Sequence, residues 1–170
     1  MKIRQLRRED DRVLATIIRH ELEHYQLNLP GTAYFDPELD HLSEFYRHPG
    51  RGYFVVVDAN DRVVGGAGFG EYVLERKIAE LQKVYISQAA QGHGWSYPLI
   101  KQVEQAAREA GYEYIALESH HRLAAALHVY HKLGYHSMPA SLATSDTHNL
   151  MDCFMIKPLT ATGDFPLKIQ

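Results

Sequence analysis

The segment Gln91-Gly92-His93-Gly94-Trp95-Ser96 constrains the fold more than any other feature of this sequence, because it joins a predicted strand to a predicted helix. The strand spans Ala79 to Ile86, and apolar residues recur at helical spacing from Trp95 to Ala110. Such a junction directs several free backbone N–H groups and the positive end of the helix dipole at one point. Gly92 and Gly94 lack the Cβ atoms that would hold a ligand away from the backbone. The loop therefore suits a phosphate or pyrophosphate.

Two familiar phosphate-binding patterns do not match this loop. No Gly-Lys-Ser/Thr follows Gly94, as a P-loop requires, and no third glycine completes the G-x-G-x-x-G pattern. A kinase or a dinucleotide-dependent enzyme is therefore disfavoured. Two glycines alone also fit an ordinary tight turn between a strand and a helix, so other residues must decide between a turn and an anion site.

The N-terminal part of the chain predicts a short strand and two helices. The strand is expected around Lys2 to Leu6, and Asp10 or Asp11 caps the helix that follows. A second helix is expected where Asp36 precedes Pro37. The apolar stripes of these helices consist of Val13, Leu14, Ile17, Ile18 and Leu22, and of Leu39, Leu42, Phe45 and Tyr46. The first stripe is expected to pack on a sheet.

The remaining elements complete an α+β pattern. A hairpin is expected from Tyr53–Val57 and Val63–Val64 around the turn at Asp58 to Asp61. The elements expected after residue 110 are a strand at Tyr114–Leu117, a helix from Arg122 to Leu133 that ends at Gly134, a loop at Ala140–Asn149 and a closing strand at Met151–Ile156. We expect a mixed, mostly antiparallel sheet flanked by helices.

Composition limits the partners that this chain can have. Its 170 residues are 45% hydrophobic and 23% charged, which fits one globular domain over residues 1–170. The net charge of -3 provides no overall positive field for nucleic acid or an anionic membrane, so an anionic ligand must be held locally. Neither a targeting signal nor an apolar run long enough to cross a bilayer is visible. The lone cysteine, Cys153, favours the reducing cytoplasm.

Three motifs in order resemble those of the GNAT acyltransferase superfamily. Gln91, Gly94 and Ser96 occupy the marked positions of its pyrophosphate loop, Q/R-x-x-G-x-G/A. The segment Leu81–Ile86 resembles the fourth strand of the family, and Ala126–Tyr135 resembles its A-x-x-x-Y-x-K-L-G-[FY] helix. The resemblance runs from Lys2 to Leu159, and Ala79–Tyr135 carries most of its specificity. The chain departs from the family pattern in three places. Ser96 stands where the family has Gly or Ala, Gln91 stands where arginine is commoner, and Leu123 stands where an asparagine is common.

This resemblance implies an N-acetyltransferase that moves an acetyl group from acetyl-CoA to a primary amine by direct attack in a ternary complex. The residues Gln91, Gly92, His93, Gly94, Trp95 and Ser96 would bind the pyrophosphate, and the backbones of Val84 and Ile86 would bind the pantetheine amides. A backbone N–H near Tyr85 would stabilise the oxyanion. The acceptor, either a small molecule or a peptide, is left open, and a homodimer is a family-level expectation.

The resemblance also implies the catalytic groups. Tyr130 occupies the position of a tyrosine that meets the sulfur of coenzyme A. A phenol of pKa about 10 is a weaker acid than a thiol of pKa about 8.5, so full proton transfer from Tyr130 to the thiolate is uphill by roughly 2 kcal/mol. A hydrogen bond from the Tyr130 hydroxyl to the sulfur is therefore the expected role. Glu80 resembles the carboxylate base of some family members, and Glu118 is the second candidate for that base. An unshifted glutamate of pKa about 4.3 would need burial or a water relay to act.

Two other functions remain open from the sequence. His20-Glu21-Leu22-Glu23-His24 matches H-E-x-x-H, which on a helix suits zinc hydrolysis, but no third ligand follows at a diagnostic spacing. The other histidines are scattered, and no metal is expected. An acyl-CoA-binding regulator without catalysis is the second open function.

Gly65–Gly70 is glycine-rich but continues a strand, so a close-packed strand is expected there.

Overall fold

The computed structural model describes residues 1–142 and 150–160. Its strands are β1 Lys2–Gln5, β2 Gly52–Val57, β3 Val63–Val73, β4 Ile78–Ile86, β5 Tyr114–Ser119, β6 His136–Met138 and β7 Cys153–Pro158. Its α-helices are α1 Asp11–His24, α2 Leu42–Phe45, α3 Ser96–Glu109 and α4 Ala124–Lys132. The seven strands form one sheet in the order β1-β2-β3-β4-β5-β7-β6, in which β4 and β5 are parallel and the other neighbours antiparallel. The predicted α+β fold with a mixed, mostly antiparallel sheet is confirmed.

Helices cover both faces of this sheet. Phe54 and Val56 of β2 share a core with α3, where Leu99 and Val103 are fully buried. The alternate residues of β2, including Val55, share a second core with α1 and the segment before β2. Because successive side chains of a strand point to opposite faces, covering both faces explains why β2 reads as an unbroken apolar run.

β3 packs closely against its neighbours through its glycines. A Cβ atom at Gly66 would lie 2.4 Å from Cε1 of Tyr53, and one at Gly68 would lie 2.4 Å from Cδ2 of the same ring. Neither distance is compatible with van der Waals contact. The glycine-rich stretch is therefore a strand that lets an aromatic ring lie flat against it, as expected, and not a phosphate loop.

β4 and β5 separate after a short paired region. Ile78–Glu80 pairs with Tyr114–Ala116, whereas β4 continues to Ile86 and β5 to Ser119. A β-bulge at Lys83 accompanies this separation: the residue has a φ of 49°, and the pairing with β3 shifts register around it. The hydroxyl of Tyr53 donates a 2.7 Å hydrogen bond to the Lys83 carbonyl. A cavity lies in the gap between the two strands.

Several predicted details differ from the structure. Val13, predicted on the buried face of α1, is 47% exposed, because Ala15 and Glu21 occupy that face instead. The predicted helix after Asp36 is a 3-10 turn at Leu39–His41 followed by the short α2, although the expected leucines are buried. β6 was not predicted.

The C-terminal region can be compared only in part. Most of the expected loop Ala140–Asn149 lies outside the described residues. The predicted closing strand is confirmed as β7, shifted by two residues toward the C-terminus. Of the helices in the described ranges, none combines the length and the apolar character needed to cross a membrane.

Candidate active site

A cavity of about 420 Å³ opens between the diverging ends of β4 and β5. One wall is β4 and the opposite wall is the end of β5, while the loop before α3 and residues of α4 close the cavity at its two sides. Of the predicted binding residues, Val84–Ile86, Gln91, Gly92 and Gly94–Ser96 line this cavity. His93 is exposed and is not among the lining residues that the structure describes.

The loop at one end of the cavity has the geometry of an anion site. Gly92 and Gly94 have φ values of +77° and +75°, and a Cβ atom at either would meet nothing within 4 Å. Within the described chain, the backbone N–H groups from Gly92 to Ser96 have no hydrogen-bond acceptor. These N–H groups and the N-terminus of the 14-residue helix α3 provide the partial positive charge that attracts a phosphate.

A buried glutamate of α1 holds the start of this loop. The Gln91 side-chain amide donates to the Ile86 carbonyl and to Oε2 of Glu21, both at 2.8 Å. Oε1 of Glu21 accepts the backbone N–H of Gln88 at 3.2 Å. Glu21 is only 3% exposed and also lines the cavity. Sequence reasoning noticed Glu21 only as part of the H-E-x-x-H pattern and did not connect it to the loop.

Tyr130 lies on α4 and lines the cavity. Its side chain is buried, and burial raises the pKa of the Tyr130 hydroxyl well above the ordinary value of a phenol. No hydrogen-bond partner of this hydroxyl is found in the described residues. Tyr85 also lines the cavity, and burial, followed by the nearby Tyr130, raises its pKa. The hydroxyl of Tyr130 is thus protonated and available to a ligand.

The two candidate bases lie in different surroundings. Glu118, at the end of β5, lines the cavity and accepts hydrogen bonds from the hydroxyls of Tyr72, at 2.6 Å, and Ser141. Burial raises the pKa of Tyr72 to about 12, and its bond to Glu118 adds to the rise. Glu80 accepts a 2.7 Å bond from the Gln82 amide and is not among the described cavity-lining residues. The geometry therefore brings Glu118, rather than Glu80, into the cavity.

Lys83 contributes a buried ammonium group to the same wall. Its Nζ donates to the carboxylates of Asp36, at 2.6 Å, and Glu38, at 3.1 Å. Burial lowers the pKa of Lys83, but the two carboxylates outweigh this effect and the pKa lies above its ordinary value. The ion pairs tie the segment before α2 to the bulge in β4. Asp36, predicted as a helix cap, serves as a counter-ion because this strand lies beside it.

His20 and His24, the histidines of the H-E-x-x-H pattern, lie near the end of α1. The His20 side chain is 68% exposed, and no third ligand joins His20 and His24 in the described ranges. A different group, His120, His121 and Asp152, brings one potential ligand atom of each residue within 4.8 Å of the others. Hydrogen bonds from the ring and backbone of His121 lower the pKa of Asp152 to about 2. This group joins the adjacent ends of β5 and β7 at the surface.

The chain is similar in sequence to known proteins. The sequence profile of the Acetyltransferase (GNAT) family matches residues 14–135. The uncharacterized N-acetyltransferase YjgM of Escherichia coli K12 is 34% identical over 142 residues, which cover 82% of this chain and 84% of that protein.

Two solved structures have the same fold. YncA of Salmonella typhimurium, a putative acetyltransferase determined with acetyl-CoA, is 23% identical with a TM-score of 0.73 and covers 96% of each chain. Spermidine N-acetyltransferase of Vibrio cholerae, determined with CoA and spermine, is 20% identical with a TM-score of 0.68 and covers 93% of this chain and 95% of that one.

Proposed function

Because this chain belongs to the acetyltransferase (GNAT) family and is an acyl-CoA-dependent N-acetyltransferase, we propose that it transfers the acetyl group of acetyl-CoA to a primary amine by direct attack within a ternary complex. One observation carries this proposal: the cavity between β4 and β5 has free N–H groups at its loop and the buried Tyr130 hydroxyl at the α4 side. A single cleft thus offers groups for both the pyrophosphate and the thioester sulfur of acetyl-CoA.

The binding roles follow from the charge and shape of the cavity. The backbone of Gln91–Ser96 holds the pyrophosphate, since its N–H groups and the α3 dipole favour an anion. The unpaired edge of β4 at Val84–Ile86 offers main-chain groups to the pantetheine amides. Gly92 and Gly94 leave the space that an approaching phosphate needs. These roles depend on the main chain more than on side-chain identity.

The chemical step uses the groups that face the cavity. The lone pair of the neutral amine attacks the thioester carbonyl and forms the C–N bond, and a main-chain N–H near Tyr85 stabilises the oxyanion. When the C–S bond breaks, the Tyr130 hydroxyl donates a hydrogen bond to the sulfur, which leaves with the bonding electron pair. A carboxylate, Glu118 by its position or Glu80 through water, accepts the proton of the amine.

We propose a small-molecule amine as the acceptor. The Vibrio cholerae protein with the same fold binds spermine together with CoA, and Glu118 places a carboxylate in the cavity of this chain that would attract an ammonium group. A peptide amine is the alternative acceptor. The reaction is expected in the cytoplasm, and a homodimer remains a family-level expectation.

Two-substrate kinetics test the order of events. Initial rates are measured while acetyl-CoA and an accepted amine are both varied. Direct attack in a ternary complex predicts double-reciprocal lines that intersect, and CoA that competes with acetyl-CoA. Parallel lines, together with an acetylated protein in the mass spectrum after incubation with acetyl-CoA alone, would contradict direct attack and indicate a covalent intermediate.

A further inference from the structure

We propose that Glu21 is a positioning residue that holds the Gln91–Ser96 loop in the form that binds the pyrophosphate of coenzyme A. The inference rests on the proposed function, since it assigns a role within the same cofactor site. It gives the glutamate of the H-E-x-x-H pattern a task that involves no metal.

The contacts of Glu21 join three parts of the fold. The residue projects from α1 and is 3% exposed. Its two oxygens accept the backbone N–H of Gln88, at 3.2 Å, and the side-chain amide of Gln91, at 2.8 Å. The Gln91 amide also donates to the carbonyl of Ile86, the last residue of β4. One carboxylate thus fixes both ends of the turn that leads from β4 into the loop.

The carboxylate suits this position because both groups that form hydrogen bonds with it are donors. An ionised glutamate only accepts hydrogen bonds and has two oxygens for doing so. A glutamine would offer one acceptor oxygen and would place its own N–H groups against the second donor. An alanine would remove the acceptor of the Gln88 N–H and one of the two acceptors of the Gln91 amide, and each lost hydrogen bond costs free energy. The position is therefore specific for an acceptor with two oxygens.

Two effects of the Glu21 charge oppose each other. Its hydrogen bonds order the loop, so that less conformational entropy is lost when a ligand binds. Its negative charge lines the same cavity as the anion site and repels a pyrophosphate. If ordering dominates, removal of the charge weakens binding, and if repulsion dominates, removal strengthens it. The sign of the change therefore distinguishes the two effects.

The experiment compares Glu21→Ala and the isosteric Glu21→Gln with the wild-type protein. Calorimetry measures the dissociation constant for CoA, and steady-state rates give KM and kcat for acetyl-CoA and for acetyl-pantetheine, which lacks the pyrophosphate. We expect Glu21→Ala to raise the Kd for CoA and the KM for acetyl-CoA about tenfold, equivalent to about 1.4 kcal/mol, at a nearly unchanged kcat. Glu21→Gln should have a smaller effect in the same direction.

The truncated donor separates positioning from general damage. Because Glu21 acts on the pyrophosphate loop, the KM for acetyl-pantetheine should stay within twofold of wild type in both variants. Glu23→Ala, on the exposed side of the same helix, is the control and should leave both donors unaffected. In a Gln91→Ala background, Glu21→Ala should add less than threefold, since the hydrogen bond between the two side chains is already lost and only the bond of Glu21 to the Gln88 N–H remains to be removed.

Three results would overturn the inference. They are an unchanged Kd for CoA in both Glu21 variants, tighter CoA binding in Glu21→Gln, and equal losses for acetyl-CoA and acetyl-pantetheine. If Glu21→Ala does not fold, the outcome for Glu21→Gln decides. A wild-type protein that does not bind CoA would contradict the proposed function itself and remove this inference with it.

Discussion

Replacement of Gly94 by alanine separates the cost of backbone strain from the loss of a binding site. Gly94 has a φ of +75°, and an added Cβ would meet nothing within 4 Å. The left-handed conformation costs an alanine about 1–2 kcal/mol. A less flexible unfolded chain returns about 0.5 kcal/mol of this cost. We therefore expect the free energy of unfolding to fall by about 1 kcal/mol, which urea denaturation measures.

The same substitution should reduce CoA binding by more than strain explains. Gly94 lines the cavity, and the added methyl group occupies open space there, so we expect it to obstruct a phosphate that approaches the N–H groups. Loss of one hydrogen bond to a charged group costs about 1.5–3 kcal/mol, so the Kd for CoA should rise roughly 10- to 150-fold. Isothermal titration calorimetry on the folded variant measures this change.

Gly111 provides a matched control for Gly94→Ala. It follows the end of α3 with a φ of +96°, and a Cβ there would also meet nothing within 4 Å. Gly111→Ala should lose about the same 1 kcal/mol of stability and keep the wild-type Kd for CoA. If Gly94→Ala loses stability but binds CoA like the wild type, the loop does not hold the pyrophosphate and the reasoning is refuted.

Three further predictions concern charged and phenolic side chains. Glu118→Gln should lower kcat at least tenfold more than Glu80→Gln, because Glu118 lines the cavity and a general base contributes about 10²- to 10⁴-fold; the opposite order would identify Glu80 as the base. Arg4→Met should cost about 3–5 kcal/mol in urea denaturation, since it leaves the buried Asp10 carboxylate without its ion pair; a loss below about 1 kcal/mol would mean that the pair contributes little. Burial raises the pKa of Tyr46, Tyr53 and Tyr130 in the folded protein. The stability that these groups contribute is therefore complete below their unfolded pKa of about 10, and it decreases as the pH rises above that value. Unfolding free energies that stay constant through pH 11 would contradict this.

The sequence predicted the parts of the fold that depend on local pattern. The apolar spacing before Gly111 predicted α3, and the turn residues after Val57 predicted the β2–β3 hairpin. The two glycines of the loop indicated a strand-to-helix junction because few residues adopt positive φ. Each of these patterns lies in or next to the element that it predicts, which is why a single sequence was sufficient.

Features that depend on distant contacts were not predicted. Glu21 and Gln91 are 70 residues apart, and no pattern within either segment links the two side chains. Lys83 finds its carboxylates 47 and 45 residues away, and its left-handed backbone carries no sequence signal because lysine rarely adopts that conformation. That Glu118 lines the cavity also required the structure, since it depends on where β4 and β5 separate.

The central claim is that this cavity catalyses acetyl transfer from acetyl-CoA to an amine. Its most direct test is the release of free thiol from acetyl-CoA across a panel of amines, with Tyr130→Phe measured beside the wild type. We expect thiol and acetylated amine in equal amounts with at least one small amine, and slower turnover in a folded Tyr130→Phe protein. CoA binding without thiol release on any amine would contradict the claim and favour a regulator that only binds acyl-CoA.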